Sequence, residues 1–214
     1  MEEINLNQPQ VFQPFGPLVY RSKIDSKYVD IFNEHIEGRK GEDATGRLAG
    51  LIDEQLEFTE LPVNLGNHII RHAMEYAYSG GMLGNDPSIP YPQFQIDAIW
   101  ANVQRSGEVN PPHAHTGMFS FVIFTKNELT LEKTIDNKFE KNAEYNAGQS
   151  QPTLGHLVLN YGEEQFYSWD KYFIWPEVGD IIMFPSWLRH FVYPHYEENK
   201  TRVSVAGNIS VVQE

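Results

Sequence analysis

The spacing of apolar residues changes near residue 90 from a helical period to a strand period, and this change restricts the folds that the chain can adopt. Apolar residues fall at helical spacing from Asp25 or Ser26 to about Gly38, and again from Leu65 to Tyr78. From Phe94 onward apolar and polar residues alternate. Further β-type runs cover residues 117–125, 155–161, 165–175, 179–184, 190–194 and 201–212. Helices followed by many short strands predict an α+β chain with a mainly β core, either closed or built from two sheets.

The chain has 214 residues, which is enough for one domain with a substantial hydrophobic core. We expect a single domain, with an N-terminal strand and flanking helices over about residues 1–90 and the β core over about residues 91–214. Residues 11–20 predict a strand interrupted by prolines, and residues 40–60 predict a loop with a short helix. The polar stretch 126–154 is either a connection that contacts substrate or a surface loop.

The composition restricts the chemistry and the partners. The chain has no cysteine, so any transition-metal site must use imidazole, carboxylate or water, a donor set that suits Fe(II) but also Mn(II), Zn(II) or Ni(II). The 16 basic and 29 acidic residues give a formal net charge of −13. Such a surface repels phosphate backbones, which argues against nucleic acid as a partner.

No apolar run approaches the roughly 18 residues that a membrane span requires. The N-terminal residues Met1 to Asn5 lack the basic start and the apolar stretch of a secretory signal. We therefore expect a cytoplasmic protein without a membrane partner. Strand edges and aromatic residues permit a homodimer but do not require one.

Three histidines and an arginine occur in an order that is typical of a metal site. His113 and His115 are two residues apart, so in an extended strand both imidazoles would project from one face and reach one metal. His190 follows the apolar run 180–185, and Arg202 opens a later β-type run in which Ser204 shares its face. Two neighbouring ligands, a distant third and a cation on a nearby strand predict an iron site with a carboxylate-bearing co-substrate.

This arrangement resembles the 2-oxoglutarate- and Fe(II)-dependent oxygenases. In that superfamily a His-x-Asp/Glu pair and a distal His bind iron, and a later Arg, often within Arg-x-Ser, holds the far carboxylate of 2-oxoglutarate. Within it, the chain more closely resembles a small subgroup of oxygenases of marine bacteria and their phages, over roughly residues 94 to 212, and the N-terminal part matches only loosely. The segments that carry this resemblance are Trp100-Ala101-Asn102, Gly107, His113-Ala114-His115, Phe184-Pro185-Ser186-Trp187-Leu188-Arg189-His190 and Arg202-Val203-Ser204.

The resemblance implies a double-stranded β-helix, which is the jelly-roll, cupin-like core of these enzymes, and Fe(II) and 2-oxoglutarate as cofactor and co-substrate. The metal ligands that it implies are His113, His115 and His190. The residues that it implies for binding 2-oxoglutarate are Arg202, Ser204, Asn102 and Asn208. The expected reaction is hydroxylation of a C–H bond in a small-molecule or peptide substrate, with peptidyl proline as a candidate by analogy with related jelly-roll enzymes.

Position 115 departs from the usual pattern, because the superfamily has a carboxylate there. A third imidazole leaves the iron centre one unit more positive; alternatively, water or a distant carboxylate such as Asp97 takes that position. His115 also favours a rival function, a three-histidine cupin-type metalloenzyme that does not use 2-oxoglutarate. A non-catalytic jelly-roll binding protein is the third alternative.

His68 and His72 are four apart on a helix but have no third ligand, so we expect them to face solvent.

Overall fold

The computed structural model describes residues 10–12, 16–80, 92–131, 154–166 and 169–212. Within these ranges the chain forms two helices and twelve strands, arranged in one eight-stranded and one four-stranded sheet in which all pairs are antiparallel. In chain order the elements are β1 (Gln10–Phe12), β2 (Val19–Lys23), α1 (Ser26–Glu37), β3 (Glu42–Asp43), β4 (Gln55–Glu57), α2 (Val63–Ser79), β5 (Phe94–Gln104), β6 (Asn110–His113), β7 (Phe119–Asn127), β8 (Leu157–Asn160), β9 (Lys171–Ile174), β10 (Asp180–Pro185), β11 (Arg189–Val192) and β12 (Arg202–Val211).

The two sheets pack face to face over an apolar core. The large sheet has the order β1-β2-β10-β7-β12-β5-β4-β3, and the small sheet has the order β6-β11-β8-β9. Side chains that alternate along the central strands of the large sheet point towards the small sheet, where they meet the apolar residues of β8, β9 and β11. This inner core contains Trp100, Val122, Phe124, Phe184, Ala206, Leu157, Leu159, Ile174 and Val192. The arrangement confirms the predicted mainly β jelly roll.

The helices cover the outer face of the large sheet. In α1 the buried residues are Tyr28, Val29, Phe32 and Ile36, and in α2 they include Leu65, Ile69, Ala73 and Tyr76. These stripes pack against the outward residues of the central strands, such as Phe121, Ile123 and Val205. Gly38 and Gly80 follow the two helices. The predicted helices and their apolar faces are therefore confirmed, and neither helix is long and apolar enough to span a membrane.

The predicted short helix within residues 40–60 is wrong. This segment instead forms the short strands β3 and β4, and β4 pairs with β5 through the register Gln55↔Asn102 to Glu57↔Trp100. This pairing provides hydrogen-bond partners for backbone groups at the edge of β5 that would otherwise lack them. Because the requirement arises between distant parts of the chain, local helix propensity cannot predict it. Most of the polar stretch 126–154, namely residues 132–153, lies outside the described residues.

The expectation that both helical histidines face solvent is also wrong, because His72 is only 7 % exposed. Its Nδ1 atom lies 2.7 Å from the hydroxyl oxygen of Tyr20, which in turn donates to a carboxylate oxygen of Glu75 at 2.7 Å. Its Nε2 atom lies 3.3 Å from that of the half-buried His68. His72 thus belongs to the face of α2 that packs on β2, and burial lowers its pKa to about 4.

Candidate active site

His113 and His190 face each other across two paired strands. His113 is the last residue of β6, His190 lies in β11, and the register His190↔His113 brings their ring centroids to 4.3 Å. β6 contains two prolines and lies at the edge of the small sheet, the position where missing backbone donors are tolerated. The spacing of the two imidazoles is therefore set by the pairing of two strands that are distant in sequence.

His115 reaches the same place by a different route from the one that strand geometry predicted. It lies two residues beyond the end of β6, and its backbone N–H donates to the carbonyl oxygen of Ser186 at 2.9 Å. Its ring lies 5.2 Å from the Trp100 ring, 4.8 Å from that of His113 and 5.1 Å from that of His190, centroid to centroid. One ligand atom from each of the three histidines lies within 4.8 Å of the others. Among the described residues this is the single group of three or more such side chains able to hold one metal.

Backbone carbonyls fix the tautomers of two of these histidines. The Nδ1 atom of His113 lies 2.7 Å from the carbonyl oxygen of Pro111, and that of His190 lies 2.9 Å from the carbonyl oxygen of Leu188. A carbonyl only accepts hydrogen bonds, so Nδ1 carries the proton in both rings and the Nε2 lone pair remains for a metal.

Burial keeps the three imidazoles neutral. Burial is the largest cause of a lowered pKa at all three positions. The pKa of His113 lies below its ordinary value, that of His115 falls to about 4, and that of His190 falls to about 3. At neutral pH the cluster therefore consists of uncharged imidazoles, the form that binds divalent iron. Asp97 is not part of this group of ligand atoms. Its exposed carboxylate instead accepts hydrogen bonds from Ser210 and, at 3.1 Å, from Gln95.

Arg202 is a buried cation with two unused donors. It is 2 % exposed at the start of β12, and its Cζ atom lies 4.9 Å from the ring centroid of Phe124. Its Nη1 donates to Oε1 of Gln104 at 3.3 Å, whereas Nε and Nη2 are buried without a hydrogen-bond partner. Burial lowers its pKa to about 9, so it remains charged at neutral pH. No acidic side chain in the described part of the chain pairs with it.

Two polar residues lie between the histidines and Arg202. On the inner face of the large sheet, β12 and β5 form three successive cross-strand pairs: Ala206 with Trp100, Ser204 with Asn102, and Arg202 with Gln104. Trp100 contacts His115, so the row runs from the metal cluster to the guanidinium over about 13 Å of strand, at roughly 3.3 Å per residue. Ser204 and Asn102 form its middle, and the Asn102 side-chain oxygen accepts a hydrogen bond from Gln55 at 2.7 Å.

Asn208 does not lie with this polar row. It is six residues from Arg202 along β12, which corresponds to roughly 20 Å. Its side-chain oxygen accepts a hydrogen bond from the Ser120 hydroxyl at 2.9 Å, and that hydroxyl lies 3.2 Å from the hydroxyl of Ser186. Because the carbonyl of Ser186 binds the backbone of His115, Asn208 belongs to the metal end of the strand.

A family model of 2OG-Fe(II) oxygenases matches residues 98–208, which include all three histidines and Arg202. The chain belongs to this family. It is therefore an oxidoreductase, with Fe(II) as cofactor and 2-oxoglutarate as co-substrate. No curated protein matches the chain.

Solved structures that resemble this oxygenase share its fold at low sequence identity. The viral collagen prolyl hydroxylase of Paramecium bursaria Chlorella virus-1, in complex with 2-oxoglutarate, is 9 % identical with a TM-score of 0.54, and the match covers 89 % of this chain and 94 % of that one. A prolyl-4-hydroxylase of Pseudomonas putida is 12 % identical, with a TM-score of 0.53 and 92 % of both chains covered. A prolyl hydroxylase of Trichoplax adhaerens, in complex with a hypoxia-inducible-factor peptide, is 14 % identical, with a TM-score of 0.51 and coverage of 97 % and 84 %.

Sequence reasoning missed the residues that surround Arg202 in this oxygenase. Gln104 is its hydrogen-bond partner, Phe124 its aromatic neighbour, and Gln55 the partner of Asn102. A signal for Gln104 exists: continuing the alternation of β5 in steps of two beyond Trp100 reaches Asn102 and then Gln104 on the same face. The positions of Phe124 and Gln55 depend on strand pairing, which the sequence does not display.

Proposed function

We propose that this oxygenase binds Fe(II) through His113, His115 and His190. We further propose that Arg202 holds the far carboxylate of 2-oxoglutarate, assisted by Ser204 and Asn102, and that the substrate is a peptide that is hydroxylated at a C–H bond of proline. The main observation behind the proposed co-substrate site is that two buried donors of Arg202 have no hydrogen-bond partner.

The chemistry of the three histidines suits Fe(II). The three imidazoles are neutral, and one ligand nitrogen from each lies within 4.8 Å of the others. In His113 and His190 the Nε2 atom is free for a metal because Nδ1 donates to a backbone carbonyl. When bound, Fe(II) and 2-oxoglutarate supply the oxidising chemistry: dioxygen is consumed, one oxygen atom enters the C–H bond, and 2-oxoglutarate becomes succinate and CO2. The protein contributes ligands, a buried inner face of the sheet and a fixed cation.

Arg202 supports 2-oxoglutarate as the partner of the site. Its Nε and Nη2 atoms lie on one edge of the guanidinium, so together they form the two-pronged donor that matches a carboxylate. Leaving a buried charge and two buried donors unpaired is costly, and a carboxylate at this edge would remove both costs. Ser204 and Asn102 lie between this edge and the metal cluster, as side chains along the co-substrate would.

Two kinds of observation support a proline-containing peptide as substrate. The structural relatives include prolyl hydroxylases, one of them in complex with a peptide. Next to the metal cluster, Trp187 is 57 % exposed and follows Ser186, whose carbonyl binds His115; its ring centroid lies 6.0 Å from that of Tyr161, which is also exposed. Exposed aromatic rings are the surfaces on which proline-rich segments dock.

The substrate is tested by incubating the enzyme with Fe(II), 2-oxoglutarate and peptides that contain proline, or alanine at the same position. We expect the proline peptides to raise succinate production and to gain the mass of one oxygen atom, and we expect Trp187→Ala to raise their KM. If succinate forms at the same rate with both peptides and neither gains oxygen, the proline assignment fails.

The third imidazole favoured one rival at the level of the sequence, a three-histidine metalloenzyme that does not use 2-oxoglutarate. The match to the 2OG-Fe(II) oxygenase family argues against that rival. Omitting 2-oxoglutarate should therefore stop the consumption of dioxygen.

A further inference from the structure

The side-chain amide of Gln104 has one fixed orientation, in which it accepts a hydrogen bond from Arg202. Its side chain is completely buried on β5, directly opposite Arg202 on β12. Its Nε2 donates to the backbone carbonyl of Glu108 at 2.7 Å and to that of Tyr193 at 3.4 Å. Carbonyls cannot donate, so the amide nitrogen must face them and Oε1 must face Nη1 of Arg202. The orientation of the amide is therefore determined by the backbone around it.

Because the amide of Gln104 is uncharged, it does not neutralise the guanidinium of Arg202. Buried arginines usually pair with a carboxylate, which neutralises them. Here an amide accepts from Nη1 and the ring of Phe124 lies over the cation, but neither carries a negative charge. Arg202 is thereby held by one edge while its full charge and the donors Nε and Nη2 remain for another anion.

We infer that Gln104 is a positioning residue for the co-substrate: it fixes the guanidinium of Arg202 without neutralising it, so that the free edge can capture the far carboxylate of 2-oxoglutarate. This inference rests on the proposed role of Arg202. It also accounts for an amide, rather than a carboxylate, beside the cation.

The inference predicts an unusual ranking of variants. Gln104→Met removes the acceptor and leaves the guanidinium free to rotate, which should weaken 2-oxoglutarate binding roughly ten- to a hundred-fold, the usual effect of losing a hydrogen bond to a charged group. Gln104→Glu keeps an acceptor for Nη1 but places a negative charge beside Arg202, so it should weaken binding more than Gln104→Met. If Gln104 only maintained packing and hydrogen bonding, Gln104→Glu would weaken 2-oxoglutarate and a ligand without the far carboxylate alike, because its damage would come from a carboxylate oxygen that faces the carbonyls of Glu108 and Tyr193.

The experiment measures equilibrium binding to Mn(II)-loaded protein, in which turnover does not occur. Each variant is titrated with 2-oxoglutarate and with 2-oxobutyrate, which has the same chelating end but no far carboxylate. We expect both Gln104 variants to lose affinity for 2-oxoglutarate and to keep that for 2-oxobutyrate. Parallel losses for the two ligands would show general damage to the site and would overturn the inference.

Asn127 provides a matched control. It lies opposite Arg202 on the other neighbouring strand, β7, but its amide donates to the carbonyl of Pro176 at 2.8 Å and accepts from the backbone of Leu129 at 3.1 Å. Asn127→Leu therefore removes a comparable amide beside Arg202 without removing a bond to the guanidinium. We expect it to leave the affinity for 2-oxoglutarate unchanged; a loss equal to that of Gln104→Met would contradict the inference.

Arg202→Met separates failure of the inference from failure of the proposed function. If Arg202→Met binds 2-oxoglutarate as the wild type does, Arg202 does not hold the co-substrate and the proposed function is wrong on that point. If Arg202→Met loses binding while both Gln104 variants retain it, the inference alone is wrong. Thermal unfolding identifies any variant that does not fold; should Gln104→Met be one, the shape-conserving Gln104→Glu decides the question by itself.

Discussion

Replacing Arg202 by methionine should affect stability and co-substrate binding in different ways. In the free protein Arg202 is buried, unpaired with any described acidic residue, and has two unused donors. Methionine is shorter but has a similar side-chain volume and no charge, so it removes the cost of burying the cation. The same substitution removes both donors that we assign to 2-oxoglutarate. A protein that keeps its stability but no longer binds the co-substrate is therefore the expected phenotype.

The magnitudes follow from the environment of the guanidinium. Burial lowers the pKa of Arg202 from 12.5 to about 9, which corresponds to a cost of about 5 kcal/mol for the charged form. Methionine also loses the contact with Phe124 and the hydrogen bond to Gln104, and each loss lowers the free energy of unfolding by about 2 kcal/mol. The free energy of unfolding should thus stay within about 1 kcal/mol of the wild-type value or rise slightly. Two charge-assisted hydrogen bonds to a carboxylate contribute roughly 3 to 6 kcal/mol, so 2-oxoglutarate affinity should fall on the order of 10²- to 10⁴-fold.

Urea unfolding of the metal-free protein measures the stability, and titration of the Mn(II)-loaded protein with 2-oxoglutarate measures the affinity. An arginine in a structural ion pair behaves differently, since its removal leaves a buried charge and costs about 3 to 5 kcal/mol. A destabilisation of that size, combined with unchanged 2-oxoglutarate affinity, would instead assign Arg202 to the structural core.

Three further perturbations test other parts of the molecule. His115→Asp should retain Mn(II) binding measured by calorimetry, since a carboxylate is the usual ligand at this position; loss of binding greater than in His115→Ala would contradict this. His72 has a pKa of about 4 in the folded protein against 6.5 unfolded, so the unfolded state binds more protons between these values, and His72 should lower stability by up to about 3 kcal/mol as pH drops from 6.5 towards 4. In urea unfolding His72→Phe should remove this share of the pH dependence and leave the share that His115 and His190 contribute. Gly207→Ala should destabilise the protein by about 1 to 3 kcal/mol in the same assay, because its Cβ would lie 2.6 Å from the carbonyl oxygen of Ala98 and from the ring of Phe121; wild-type stability would show that β12 shifts at little cost.

The parts of the fold that the sequence predicts are those set by local periodicity. The buried stripes of α1 and α2 and the later strands carry regular apolar spacing, so they are visible without knowledge of the tertiary structure. β3, β4 and β6 are not, because they are short and form where a neighbouring strand offers free backbone groups. Pro111 and Pro112 even argue against a strand, and only the edge position of β6 accommodates them.

In the candidate site, too, the sequence predicts some features, and others depend on contacts between distant parts of the chain. The order of the three histidines and Arg202 indicates the chemistry, but the route by which His115 joins the cluster depends on a backbone hydrogen bond to Ser186, some seventy residues away in the chain. Gln104 is assigned only once the pairing of β5 with β12 places it opposite Arg202. The chemistry of metal-binding histidines requires a hydrogen-bond acceptor for the second ring N–H, but only the local backbone geometry shows that backbone carbonyls fill this role for His113 and His190.

Anaerobic titration of the metal-free protein with Fe(II) in the presence of 2-oxoglutarate shows whether iron and the co-substrate bind together at the three histidines. Chelation of iron by the keto acid produces a weak visible charge-transfer band, which reports both partners at one site. We predict that the wild type develops this band with one equivalent of Fe(II), and that His190→Ala remains folded and does not. Iron binding without the band in the wild type, or an unchanged band in His190→Ala, would contradict a three-histidine iron site that binds 2-oxoglutarate.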